Sequence, residues 1–122
     1  MKVSRGLLMF MRVAMLLQLI VGIALWTGHL YSLVDLHRTI GVLFVLSLWI
    51  IAIIALVQRR SPGLAAFGIL WGLVVAALGF MQQGMLIGDL HWIIRVLHLV
   101  IGVASMPIAE KLVAGMSTAT AA

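Results

Sequence analysis

A histidine occurs twice in this chain within a repeated stretch of sequence. Residues 35–43, DLHRTIGVL, return 54 residues later as DLHWIIRVL at residues 89–97, with six of nine positions identical. The apolar identities carry little weight in so hydrophobic a chain, but there are only four His residues and two Asp residues in total. His37 and His91 thus open two different apolar segments at the same position. Two imidazoles related in this way are suited to ligate one metal from opposite sides.

Further polar residues share the helix face that His91 begins. Arg95 and His98 follow His91 at spacings of four and three residues, which places all three on one face of a helix. In the repeat, Gly41 corresponds to Arg95 and Phe44 corresponds to His98. Polar groups at membrane depth turn towards the interior of a bundle, because lipid offers them no hydrogen bonds. Two other inward stripes follow the same spacing: Gln18, Gly22, Leu25 and His29; and Ala65, Gly68, Gly72, Ala76, Gly79 and Gln83.

Two facing imidazoles are the axial ligands of six-coordinate haem iron. We therefore predict one bis-His haem b held by His37 and His91, with Arg38 and Arg95 compensating the propionate charges. A missing side chain at Gly41 would let the porphyrin edge approach its helix. The competing interpretation is that both histidines are first-turn residues that satisfy helix ends and touch lipid headgroups.

His98 has no histidine partner in the repeat, and several roles stay open for it. It lies about 10 Å deeper than His91 by the helical rise. It is a candidate for a hydrogen-bonding neighbour of the haem, a quinone pocket, an alternative axial ligand or a buried structural histidine. His29 belongs to the outer edge, where a solvated loop residue is the simpler interpretation.

The composition limits the class of protein. The 122 residues are 65% hydrophobic and 9% charged, with a mean hydropathy of +1.28. This indicates one integral membrane domain, lying in a lipid bilayer. The absence of cysteine excludes disulfides and thiolate sites. The net charge of +5 lies in short flanks of apolar runs, which argues against a nucleic-acid partner.

The chain has four segments long enough to span a bilayer as helices, and strands are disfavoured because the apolar residues do not alternate. We predict an all-α bundle of two parallel helical-hairpin repeats. Asp35 and Asp89 are N-cap candidates, and Arg12 and Glu110 are candidates for a structural ion pair. The predicted helices cover residues 7–27, 36–57, 64–83 and 90–111.

The basic residues predict the orientation of the chain. Lys2, Arg5, Arg59, Arg60 and Lys111 fall on one side of the predicted bundle, so both termini should be cytoplasmic. The repeated stretches then face the periplasm of a bacterial-type inner membrane. The repeat adds that His37 and His91 lie at equal depth across the bundle axis.

At His37-Arg38-x-x-Gly41, and at His91 with His98, the chain resembles small four-helix membrane cytochromes b. It is most similar to one four-helix half of a haem A synthase, in which histidines opening the second and fourth helices hold a haem near the outer face. The resemblance carries His37 and His91 over as ligands. It implies haem binding and electron transfer more than substrate oxidation, because haem A synthases have two such halves.

These observations favour an electron-transfer or accessory subunit over a stand-alone enzyme. With so little mass outside the membrane, the chain should work with other membrane redox subunits or a quinone. Two alternatives stay open. One is a cofactor-free structural or assembly subunit, and the other is a small transporter with His91, Arg95 and His98 lining its path.

Overall fold

Four long helices make up almost all of the described chain. The structure is a computed structural model, and it describes residues 1–117. Each helix is long and apolar enough to cross a bilayer, and no strand occurs in the described range. The chain is thus a multi-pass, all-α membrane protein, as predicted. The helices are α1 (Lys2–Trp26), α2 (Val34–Val57), α3 (Pro62–Met81) and α4 (His91–Ser117), with 3-10 turns at Tyr31–Leu33 and Gln82–Gly84.

The helices extend beyond their predicted limits at several ends. α1 begins at Lys2 rather than near residue 7, and α4 continues to Ser117 rather than ending near residue 111. α2 and α3 each begin two residues early. Hydropathy marks only the part of a helix that lies in hydrocarbon, whereas backbone hydrogen bonding continues into the polar flanks. Pro107 lies inside α4 and does not end it.

The prediction that Asp35 caps α2 is wrong. The N-cap is Leu33, with no side-chain capping bond, and Asp35 lies in the first turn. Its carboxylate is 3.8 Å from Arg38 instead. Asp89 lies in the turn before α4, and its side chain makes no hydrogen bond within residues 1–117. Both carboxylates still lie near helix N-termini, where the macrodipole favours negative charge.

The well-packed core lies at the end of the bundle that holds the N-terminus. α2 packs against all three other helices, whereas α1 and α3 share no close backbone contact within the described residues. The predicted ion pair is confirmed at this end, with Arg12 Nη2 3.0 Å from Glu110 Oε1. The core residues with no more than 1% exposure are Met11, Ala14, Leu48, Ile51, Ala52, Ala55, Ala65, Ala109 and Leu112.

Two tryptophans tie α3 to its neighbours. The indole N–H of Trp49 donates to the Ile69 carbonyl at 3.0 Å, and that of Trp71 donates to the Ile101 carbonyl at 3.1 Å. The ring of Trp49 lies against Gly72, where a side chain would overlap it. Small residues on α3 thus allow close approach, as helix contacts in membranes commonly require. Packing at the end of the bundle that holds the N-terminus thus sets the positions of the helices that carry the histidines at the other end.

Candidate functional site

A cavity of about 320 Å³ opens within the half of the bundle that carries the histidines. All four helices contribute to its wall, and this volume suits a small ligand or part of a cofactor. The histidines and arginines that line it are His37, Arg38, His91, Arg95 and His98. The five polar residues singled out in the sequence are therefore brought together around one space, and Gly41 lines it as well.

The imidazole rings of His37 and His98 face each other across α2 and α4. Their centres are 6.4 Å apart, and their planes are inclined by 57°. Rings on opposite sides of one metal have centres roughly 6 Å apart, because metal–imidazole bonds are about 2 Å long and each ring centre lies about 1 Å behind its nitrogen. Direct aromatic pairs also occur at about 4.5–7 Å. The separation is compatible with both arrangements.

The hydrogen-bonding state of the two rings is unusual. Nδ1 of His37 and Nδ1 of His98 are buried without a partner. Within residues 1–117 neither ring makes a hydrogen bond through its other nitrogen. A buried polar atom that stays unpaired costs about 1–3 kcal/mol, so such atoms usually indicate a missing ligand or water. Because Nδ1 is covered, only Nε2 of each ring can reach a molecule in the cavity.

His91 is oriented differently from the other two histidines. Its Nδ1 lies 2.9 Å from the backbone carbonyl oxygen of Met85, to which it can donate a hydrogen bond. That bond leaves Nε2 free as an acceptor, an arrangement common in metal-bound histidines. No ring contact joins His37 to His91 within the described chain. His91 is thus oriented as metal-bound histidines commonly are, but the ring that lies close to His37 is that of His98.

The two copies of the repeat differ in where their helices begin. α2 begins three residues before His37, at Val34, whereas α4 begins at His91 itself. The sequence repeat does not indicate that the two helices begin at different positions relative to their histidines. The ring that lies close to His37 is that of His98, two turns along α4 from His91. The prediction that His37 and His91 ligate one iron is untested by this geometry.

The two arginines at the cavity differ in their partners. Arg38 Nη2 lies 3.4 Å from Gln83 Oε1, and Arg38 also lies near Asp35. Arg95 has no hydrogen bond or ion pair with any described residue. Guanidinium groups pair well with carboxylates and phosphates. An anionic group in the cavity would therefore have two arginines on the surrounding wall.

Both imidazole rings pack against glycines of neighbouring helices. A Cβ on Gly22 would lie 3.4 Å from Cε1 of His37, and a Cβ on Gly79 would lie 3.7 Å from Cε1 of His98. Beside Gly41 the space is taken by the amide of Gln18, whose Nε2 would lie 2.9 Å from such a Cβ. The predicted approach of a porphyrin edge at Gly41 would thus require Gln18 to move.

Gln18 was not among the predicted site residues, although it borders the cavity and its Oε1 is buried without a partner. Its position in the inward stripe of the first helix could have indicated a site residue, but a single glutamine in such a stripe is equally consistent with a purely structural role. His29 is exposed, lies 3.2 Å from Thr27 Oγ1 and does not line the cavity.

No protein family, curated protein or solved structure matches this chain. Within residues 1–117, no group of three or more His, Asp or Glu side chains is arranged to hold a metal ion. A bis-His haem takes only two protein ligands, so it is judged by the pair of rings and their surroundings.

Proposed function

We propose that this protein is a membrane cytochrome b subunit that holds one haem b between α2 and α4 and transfers single electrons. The supporting observation is the pair of imidazoles, His37 and His98, with ring centres 6.4 Å apart. Both rings lie on the wall of one cavity in the membrane-spanning bundle. This changes the ligand pair expected from the repeat, with His98 replacing His91.

The residues present fit such a group. Nε2 of each ring makes no hydrogen bond within residues 1–117, so it is available to ligate a metal in the cavity. Gly22 and Gly79 leave no side chain between the helices where the two rings lie. The cavity wall is otherwise largely apolar, as expected for a ligand site with few polar groups.

Each side chain has a defined task in this proposal. His37 and His98 would hold the iron through Nε2, and Arg38 and Arg95 would compensate the propionate charges. Bound haem supplies one reversible one-electron centre. The apolar wall would limit water, which tunes the potential. The distribution of Lys and Arg supports cytoplasmic termini and a site near the periplasmic face of an inner membrane.

A redox role also needs partners. Nearly the whole described chain is membrane-spanning helix, so there is little surface for a soluble electron carrier. Other membrane redox subunits, or a quinone dissolved in the bilayer, would donate or accept the electron. The resemblance to four-helix cytochromes b and to one half of a haem A synthase belongs to this proposal as well.

The proposal is tested by the visible spectrum of protein purified from cells supplied with haem. The dithionite-reduced protein should show the sharp Soret and α bands of a bis-His haem b, at one haem per chain. A colourless preparation under these conditions would contradict the proposal.

Single alanine variants then identify the ligands. We expect His37→Ala and His98→Ala each to lose the six-coordinate spectrum. His91→Ala should keep the spectrum, and the exposed His29→Ala is the matched control. If His91→Ala loses the spectrum and His98→Ala keeps it, the pair from the sequence repeat is correct instead.

A second candidate is a small transporter, favoured by the side chains on α4 that line the cavity. His91, Arg95 and His98 all border it, and Arg95 has no partner within residues 1–117. Such a path would carry protons, an anion or copper. It predicts flux in liposomes that His98→Ala abolishes, with no haem spectrum. A cofactor-free assembly subunit predicts neither signal.

A further inference from the structure

A buried glutamine lies at the contact between α1 and α2. Gln18 is partly buried on α1, and its Oε1 has no accessible surface and no hydrogen-bond partner. A glutamine amide has one carbonyl acceptor and two N–H donors. Inside a membrane an unused acceptor of this kind is costly, so a donor is expected to reach it in the working protein.

The contact is reciprocal. Gly22 of α1 lies against the ring of His37, and Gly41 of α2 lies against the amide of Gln18. Gln18 and Gly22 are four residues, or about one turn, apart on α1, and His37 and Gly41 have the same spacing on α2. The two helices run antiparallel and are joined by a short connection. The side chains of Gln18 and His37 therefore lie next to each other in the contact of α1 with α2, and each packs against a glycine of the other helix.

The unpaired atoms are chemically complementary. If His37 binds iron through Nε2, its remaining proton must lie on Nδ1, which then becomes a donor. Nδ1 of His37 is buried without a partner, like Oε1 of Gln18. One atom needs an acceptor, and the other needs a donor. Metal-bound histidines nearly always donate this second hydrogen bond, and it raises the basicity of the ligand.

We infer that Gln18 is a positioning residue for the haem ligand His37, accepting the hydrogen bond of its Nδ1–H when the site is loaded. This rests on the proposed haem function. The bond is absent from the present structure, and the flexible amide of Gln18 has to turn by its side-chain torsions to make it. Turning away from Gly41 also clears the space beside that glycine.

The same acceptor is not offered to His98. The ring of His98 lies against Gly79 of α3, whereas that of His37 lies against Gly22 in the contact of α1 with α2. The inference is therefore asymmetric. The imidazole on α2 becomes the more basic ligand, and the imidazole on α4 keeps its Nδ1–H without help from Gln18.

The test is the midpoint potential of the loaded protein with Gln18→Leu and Gln18→Glu. A lost hydrogen bond makes His37 less basic and favours ferrous iron, so Gln18→Leu should shift the potential upward. Gln18→Glu keeps an acceptor, so its potential should be equal to or below that of the wild type. Gln82→Leu is the matched control, because Gln82 borders the same cavity but lies outside the α1–α2 contact.

The outcomes separate the inference from the proposed function. A wild-type protein without haem contradicts the function itself. Loaded Gln18→Leu with the same potential as loaded Gln82→Leu contradicts only the role of Gln18, and means that Nδ1–H of His37 finds another acceptor, such as a backbone carbonyl. If Gln18→Leu does not assemble, Gln18→Glu decides, because a potential above the wild type would overturn the inference.

Discussion

Gly72 on α3 lies against the indole of Trp49 on α2, and a methyl group at Gly72 would overlap that ring. Gly72→Ala must therefore displace the indole or push α2 and α3 apart. Overpacking of this kind costs about 1–3 kcal/mol. The displaced indole also loses its bond to the Ile69 carbonyl, worth about 0.5–1.5 kcal/mol. The better helix propensity of alanine returns about 0.5–1 kcal/mol, so the net loss of unfolding free energy should be about 0.5–4 kcal/mol.

Reversible unfolding in mixed detergent micelles, followed by helical circular dichroism, measures this loss. Gly102→Ala is the matched control, because Gly102 is also a helix glycine and a Cβ there would meet nothing within 4 Å. The cost of Gly72→Ala should shrink in a Trp49→Phe background, which provides room for the methyl group. Equal stabilities of the Gly72→Ala and Gly102→Ala proteins would refute the assigned packing.

Three further changes probe the rest of the bundle. Gly22→Leu should displace the ligand imidazole and lower haem content in absorption spectra, whereas Gly6→Leu, on an open part of the same helix, should leave it unchanged. A double-mutant cycle on Arg12 and Glu110, whose side chains are half exposed, should give a coupling energy below about 1 kcal/mol in the same unfolding assay; a larger value would mean that the pair is shielded. Trp71→Phe should cost about 0.5–1.5 kcal/mol through its lost hydrogen bond, and an unchanged stability would show that this bond contributes nothing.

The sequence predicted the four helices because continuous apolar runs of this length have few alternatives in lipid. It also predicted the pairing of Arg12 with Glu110, since two opposite charges at one end of a bundle are better paired than separate. The ends of the helices were predicted less closely than their existence, because hydropathy does not record where backbone hydrogen bonding stops. Asp35 lies two positions after Leu33, the N-cap of α2, and so does not cap the helix.

The cluster of polar residues around the cavity followed from spacing, whereas the pairing within it did not. Helical periodicity places His91, Arg95 and His98 on one face, but it says nothing of how far α4 is displaced along α2. The facing of His37 and His98 depends on that displacement. The role inferred for Gln18 needed the contact of α1 with α2, which depends on side chains that only a three-dimensional structure brings together.

The reciprocal seating of Gln18 on Gly41, and of His37 on Gly22, has an evolutionary consequence. A chain descended from the same ancestor could not enlarge position 41 without shortening position 18, because both would compete for one volume. Positions 22 and 37 are constrained in the same way. Substitutions should therefore accumulate in pairs across these two helices, and a chain that has lost the imidazole at position 37 should be free to replace the glycine at position 22.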